Sequence, residues 1–325
     1  MKIKASAKAL GENKIFLKDR YENIERLTDK SGIKAVYETS GNSVDLAFKA
    51  CSQVLNGYNK NDIECLIMVT QSPVDLLPAN SIKLSAKLGL SKSIFTFDFN
   101  QGCSGFVQSF IVANKLITKF KKILLVTTDC YRQKLAFEDR STNAVFSDGA
   151  CAMILEDDDD KHSILYDTTI TDGNLRDLLY QSCGSENDGK LHMSGAEIWL
   201  FTRKVVVPQI HEAIKFCENN SIPIGGIYIH QASKLVVEGI KNTMGDYIPK
   251  VFENYMNYAN TVSSTIPILL IDKPEDNQLD NQQHQPHQQH KSLLEENQII
   301  LKLLIHFHLI DLIILGLNHY LHFLE

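Results

Sequence analysis

Phe95 to Phe99 reads F-T-F-D-F, apolar and polar side chains alternating with the period of a strand. Gly102-Cys103-Ser104-Gly105 follows, and then apolar residues recur at Phe106, Phe110, Ala113 and Ile117. That spacing is one face of a helix. Lys122 to Thr128 has the unbroken apolar character of a strand covered on both faces. The same patterns place a strand at Lys2 to Lys8 and a charged connection at Tyr21 to Val36. A helix follows, with its stripe at Val44, Ala47, Phe48, Cys51, Val54 and Leu55 and with Asn42 or Ser43 as its cap. A strand at Asp62 to Thr70, a helix from Ser81 to Leu88 stopped by Gly89, and a turn at Phe146 to Ala150 leading into a strand through Glu156 come next. Strands alternating with helices predict an α/β fold with parallel strands.

Composition narrows the class without deciding it. A chain of 325 residues with 44% hydrophobic content supports a large core and about two domains. A net charge of −6 argues against a nucleic-acid or anionic-membrane binder. The seven cysteines include no C-x-x-C pair, which predicts reduced thiols and a cytoplasmic setting. Met1-Lys2-Ile3-Lys4 opens no apolar run of signal-peptide length. The acidic run Asp157 to Asp160 reads as a solvated loop.

The second half of the chain echoes the first. Ile63 to Ser72 and Ile224 to Ser233 are both apolar strands ending in a polar residue, Gln, a small residue and Ser. Cys103 lies 32 positions after Gln71, and Asn260 lies 29 after Gln231. If the halves are duplicated, Cys103 and Asn260 occupy matching strand-to-helix turns and His230 ends a neighbouring strand. Sites in parallel sheets gather at the carboxyl ends of strands, so the three residues converge. A thiolate at a helix start attacks a thioester and holds the acyl group. A His Nε2–H and an Asn amide N–H donate to an oxyanion. Each residue alone also has a structural explanation: a packed core cysteine, a satisfied core histidine, a helix cap.

Five motifs extend this set: D-F-N-Q-G-C-S-G-F around Cys103, F-S-D-G-A at Phe146 to Ala150, L-H-M-S-G-A-E at Leu191 to Glu197, H-Q-A-S at His230, and A-N-T-V-S-S-T-I-P from Ala259. In order and spacing the chain, up to about Ile271, resembles the β-ketoacyl-acyl-carrier-protein synthase III branch of the thiolase fold. The resemblance implies two duplicated α/β halves with mixed sheets in αβαβα layers. It implies an acyltransferase that performs a decarboxylative Claisen condensation of an acyl thioester with malonyl-carrier protein, with Cys103 as acyl-carrying nucleophile and His230 and Asn260 as donors. No metal or redox cofactor is implied. The implied partners are an acyl-CoA or acyl-carrier-protein thioester, acyl carrier protein, and a second copy of the chain whose acyl pocket the Leu76-Leu77-Pro78 loop helps to wall. Lys234 and Lys241, seven apart on one helix face, are candidates for carrier docking, as are Arg203 and Lys204.

Three departures follow. Arg26 and Lys30 stand where CoA-using members commonly have Trp and Arg, which weakens adenine stacking. Ala259 stands where Gly is usual; at positive φ it costs about 1 kcal/mol. The strand pair with a Gly-rich turn that ends such chains is not evident after Ile271, so the last strands are expected to be missing or replaced. Asp276 to His290 is Gln/Asn/His-rich and cannot form a core, and the spacing of His284, His287 and His290 follows from composition rather than a metal site. Ile299 to Leu324 reads as an amphipathic helix or unselected sequence. A membrane span there would bury Asp311 at about 2.5–3.5 kcal/mol, so no membrane role is expected. The expected organisation is a nucleophile-bearing half at 1–160, an incomplete His- and Asn-bearing half at 161–272, and a tail at 273–325. Rival readings are a type III polyketide synthase-like enzyme extending CoA esters, and a non-catalytic relic disabled by its altered ending.

Overall fold

The structure, a computed structural model, describes residues 1–157, 164–182 and 189–272, and the backbone of two strands at 299–306 and 309–315. Two five-stranded sheets organise it. The first contains β1 (Lys2–Leu10), β2 (Cys65–Val69), β3 (Phe95–Phe99), β4 (Lys122–Asp129) and β5 (Gly149–Glu156), in the order β1-β5-β4-β2-β3. The second contains β6 (Tyr166–Thr171), β7 (Ile224–Ile229), β8 (Val251–Phe252), β9 (Ile299–His306) and β10 (Leu309–Leu315), in the order β6-β10-β9-β7-β8.

The two sheets share one plan. β2 runs parallel to both β3 and β4, whereas β5 is antiparallel to β4 and to β1. In the same way, β7 runs parallel to β8 and β9, and β10 is antiparallel to β9 and to β6. The repeat between Ile63–Ser72 and Ile224–Ser233 is therefore a repeat of the strand that runs parallel to both of its neighbours, β2 in the first sheet and β7 in the second.

The layers follow from strand periodicity. Cys65, Ile67 and Val69 of β2, with Ile123 and Leu125 of β4, face a core shared with α1 (Gly105–Leu116) through Phe106, Phe110 and Ala113. Leu66, Met68, Leu124 and Val126 point to the opposite face and pack against the helices Ser43–Val54 and Asn80–Leu88. Both faces are covered, which is why these strands read as continuous apolar runs rather than alternating ones. α1 also touches β9 and β10, so it lies between the sheets. The predicted caps are present: Asn42 Oδ1 accepts from Asp45 N at 3.0 Å, and Gly89 ends its helix in the left-handed conformation.

The expectations for the end of the chain need correction. The second sheet is not left incomplete at 272, and within the apolar tail Ile299–His306 and Leu309–Leu315 are strands rather than a helix. Ile299–His306 lies beside β7, Cα register Ile227 to Leu301, in the place that β4 takes beside β2. Of the two alternatives, missing or replaced, replacement holds. A central strand with both faces covered and a helix segment share the same continuous apolar character, and the many Ile residues tip the balance to the strand. The charged connection Tyr21 to Val36 also contains more order than expected, a helix at Glu25–Ser31 and a short strand at Ala35–Glu38. Asp158 to Asp160 of the acidic run, the Gln/Asn/His-rich stretch and its three spaced histidines fall outside the described residues. Among the described residues no helix is long and apolar enough to cross a membrane, and no cluster of His, Cys, Asp or Glu is arranged to hold a metal ion.

Candidate active site

Cys103, His230 and Asn260 line one cavity of about 190 Å³. Each arrives at the carboxyl end of a strand or in the turn beside one. Cys103 follows β3 in a tight turn, Gly102–Ser104, that feeds directly into α1. Gly102 has φ +52°, and a Cβ on Gly105 would meet Val69 Cγ1 at 2.4 Å. The two glycines thus let the turn bend and let the helix start press against β2. His230 is the first residue after β7, and Asn260 lies in a turn bridged to Phe146.

The F-S-D-G-A motif is what holds the Asn260 turn. Asn260 N donates to the Val145 carbonyl at 3.0 Å, and Ser147 N donates to the Asn260 carbonyl at 2.9 Å. Asp148 in turn accepts from Thr39 N at 2.9 Å and from Arg132 N at 3.0 Å. Residues on both sides of Asn260 are strained. Ala259 has φ 60° and ψ −161°, a region almost restricted to glycine, and the β-branched Val262 has φ 55°. The sequence-based expectation that Ala259 occupies a glycine conformation is met. Strain of about 1–3 kcal/mol per residue persists only where surrounding contacts over-determine it, and such residues cluster at functional sites.

Side-chain orientation follows from hydrogen bonds. Val262 N donates to Asn260 Oδ1 at 2.9 Å, which fixes the amide oxygen and leaves Nδ2–H as the group available to a ligand. His230 Nδ1 lies 2.7 Å from Thr265 Oγ1, and Thr265 Oγ1 lies 3.1 Å from the Val262 carbonyl. A threonine hydroxyl both gives and takes a hydrogen. With its hydrogen on the Val262 carbonyl it accepts from Nδ1–H, and Nε2 is a base. With its hydrogen turned to Nδ1, Nε2–H is a donor. Thr265 lies inside the A-N-T-V-S-S-T-I-P motif, but nothing in the spacing alone marked it as the partner of His230.

The thiol corrects one expectation. Burial pushes the Cys103 pKa upward, the charge of Asp129 adds to that, and a backbone hydrogen bond at the same turn works against both. The helix start does not by itself hold Cys103 as a thiolate, because desolvation of a residue only 5% exposed outweighs it.

Between mouth and thiol the wall is mostly apolar. Leu179, Met193, Ile198, Trp199 and Val236 supply it, with Ser31, Ser141, Thr202 and Ser233 as polar points. Met193 and Gly195 place the L-H-M-S-G-A-E motif on this wall; Trp199, two residues beyond that motif, escaped sequence reasoning. Of the other candidate binding residues, Lys30 lines the cavity and Arg26 sits one turn earlier on the same helix, exposed and outside the lining. Leu77 is 86% exposed and lines no part of this chain's own cavity. Lys234 is half-buried on the helix Lys234–Lys241, also outside the lining, and Lys241 pairs with Glu253 at 3.3 Å.

Comparison with known proteins points to one family. The family model for 3-oxoacyl-[acyl-carrier-protein (ACP)] synthase III matches residues 97–173, the stretch carrying Cys103 and F-S-D-G-A. A β-ketoacyl-[acyl-carrier-protein] synthase III of Streptococcus agalactiae is 30% identical over 257 residues, covering 75% of this chain and 79% of the relative. The crystal structure of a 3-oxoacyl-(acyl-carrier protein) synthase from Burkholderia xenovorans superposes with a TM-score of 0.85 at 22% identity, covering 97% of this chain and 93% of that one. The priming β-ketosynthase of the R1128 polyketide pathway superposes with a TM-score of 0.80 at 17% identity, covering 97% and 96%. The structural likenesses speak for the fold.

Proposed function

The chain belongs to the β-ketoacyl-[acyl-carrier-protein] synthase III family and is a condensing acyltransferase; from that premise we propose that Cys103, His230 and Asn260 carry the reaction. The observation that supports this assignment is their convergence on one cavity from three separate segments. His230 Nε2, acting as base, takes the Cys103 proton, and the sulfur attacks the primer's carbonyl carbon. The thioester C–S bond breaks, the departing thiolate takes the proton back from His230, and the acyl group stays on Cys103. A malonyl thioester then enters and loses CO₂. Its electron pair forms an enolate whose oxygen accepts from Asn260 Nδ2–H and from His230 Nε2–H, the ring having lost its Nδ1 proton to solvent and taken one at Nε2 while the Thr265 hydroxyl turns to Nδ1. The enolate carbon attacks the acyl carbonyl, the acyl C–S bond breaks, and Cys103 leaves as a thiolate that takes up a proton from solvent to restore the thiol.

The substrates are an acyl-CoA or acyl-carrier-protein primer and malonyl-carrier protein. Lys30 at the mouth meets the phosphate end of the donor, with Arg26 one turn away. Lys234 and the exposed Arg203 and Lys204 offer positive charge to an acidic carrier, a more open offer than that of Lys241, which Glu253 already engages. The working form is a homodimer. β3 is an edge strand whose Phe95 is half exposed and stacks on Phe120 at 5.3 Å, and Leu76 and Leu77 are 82% and 86% exposed. An apolar edge invites a second copy. Buried free thiols at Cys51, Cys65, Cys103, Cys130, Cys151 and Cys217 support a cytoplasmic setting.

The test is product mass after incubation with an acyl-CoA primer and either malonyl-carrier protein or malonyl-CoA. One two-carbon extension on the carrier protein is expected. Repeated extension from malonyl-CoA would favour a type III polyketide synthase-like enzyme instead.

A further inference from the structure

The turn that holds both donors is tied to the nucleophile-bearing half by a carboxylate. Asp129 ends β4 and is fully buried. Its Oδ1 accepts from Gln71 N at 2.7 Å, and its Oδ2 accepts from Ser263 N at 3.2 Å and Ser263 Oγ at 2.5 Å. Ser263 follows Val262, whose N–H fixes Asn260 Oδ1 and whose carbonyl lies beside the hydroxyl that holds His230 Nδ1. The next residue, Ser264, meets Thr127 Oγ1 at 2.8 Å, a second tie to the same strand.

We propose that Asp129 is a positioning residue for the condensation half of the reaction, clamping the 260–265 turn through Ser263 so that the Asn260 and His230 donors meet the enolate. The inference rests on the assignment of Cys103, His230 and Asn260 given above. Three hydrogen bonds to one buried carboxylate make the clamp strong while it is ionised, because charge-assisted bonds are about twice as strong as neutral ones. Burial opposes that ionisation and pushes Asp129 up to about 7, against the hydrogen bonds from Ser263 and Gln71. The titratable groups that face it are Asp148, Cys103, Cys130 and Tyr131; Tyr131 OH donates to Gln71 Oε1. The clamp therefore tightens as pH rises through 7, while the same charge opposes ionisation of Cys103. Removing it separates the two half-reactions.

Two variants test this, with malonyl decarboxylation, acyl loading and the pH profile of Cys103 alkylation by iodoacetamide measured on each. Ser263→Ala deletes one clamp bond and keeps the carboxylate. Decarboxylation is expected to fall about tenfold with the alkylation profile held at its wild-type position, and Ser263→Thr is expected to restore it. Asp129→Asn has one oxygen for two backbone donors, so decarboxylation is expected to fall further, while alkylation moves to lower pH. If the asparagine variant does not fold, the Ser263 pair still decides. Wild-type decarboxylation in Ser263→Ala, or an equal loss of loading and decarboxylation in it, would overturn the proposal. A wild-type protein that never loads an acyl group would instead sink the assignment beneath it.

Discussion

At the scale of single residues, the site depends on groups held in costly states. His230 and Asn260 are 3% and 4% exposed, so the donors proposed for them sit in a water-poor pocket where a hydrogen bond to developing charge is worth most. Losing one oxyanion donor typically costs about 2.7–4 kcal/mol of barrier. Asn260→Ala should therefore reduce malonyl decarboxylation by about 10²–10³ and acyl loading by less, whereas His230→Ala removes base and donor together and should reduce both. Equal losses of the two activities in Asn260→Ala would assign Asn260 to the thiol as well. Ala259 carries strain of about 1–3 kcal/mol. Ala259→Gly relieves it, against about 0.8 kcal/mol for a lost buried methyl and about 0.4–1 kcal/mol of unfolded-chain entropy. The expected result is a melting temperature raised by about 2 °C, which a thermal melt checks. Burial pushes Asp148 as well as Asp129 up to about 7. For an acid with a raised pKa the folded state keeps its proton where the unfolded chain, titrating near 3.8, has released it. Stability therefore falls as pH rises from about 4 to about 7 and levels off above that. Denaturant midpoints at pH 5 and pH 8 should differ less for Asp148→Asn than for wild type.

At the scale of elements, the sequence announced most of what the fold uses. Phe106, Phe110, Ala113 and Ile117 form the predicted stripe, and all four are buried. Cys103 and Asn260 were legible together because Gln71 and Gln231 follow equivalent strands, β2 and β7, and the count runs on from each, although the Asn260 turn follows the short helix Tyr255–Tyr258 rather than a strand. Gln71 N reaches Asp129, and Gln231 Oε1 accepts from Asn254 N at 2.8 Å. Asp129 and Thr265 were not legible, since their roles lie in contacts across 134 and 35 positions that no local pattern encodes. The tail was misread for a different reason. A continuous apolar run lacks the period that separates strand from helix. The truncation 1–272 removes β9 and β10 and bares the edges of β7 and β6. It should aggregate or lose cooperative unfolding, as denaturation followed by circular dichroism and light scattering will show. A truncation as stable as the full chain would mean that those strands add nothing to the second sheet.

At the scale of the whole molecule, two like sheets sandwich α1, and the cavity opens where their strand ends meet. This is why Cys103, His230 and Asn260, far apart in sequence, share one pocket. The central claim is that Cys103 carries the acyl group. Intact-protein mass spectrometry after incubation with a panel of acyl-CoA and acyl-carrier thioesters tests it most directly. Wild type should gain the mass of one acyl group, mapped by peptide digestion to Cys103, and Cys103→Ala should fold normally and gain none. An acyl mass retained at the wild-type rate in Cys103→Ala, or no acyl mass on wild type with any thioester, would contradict it.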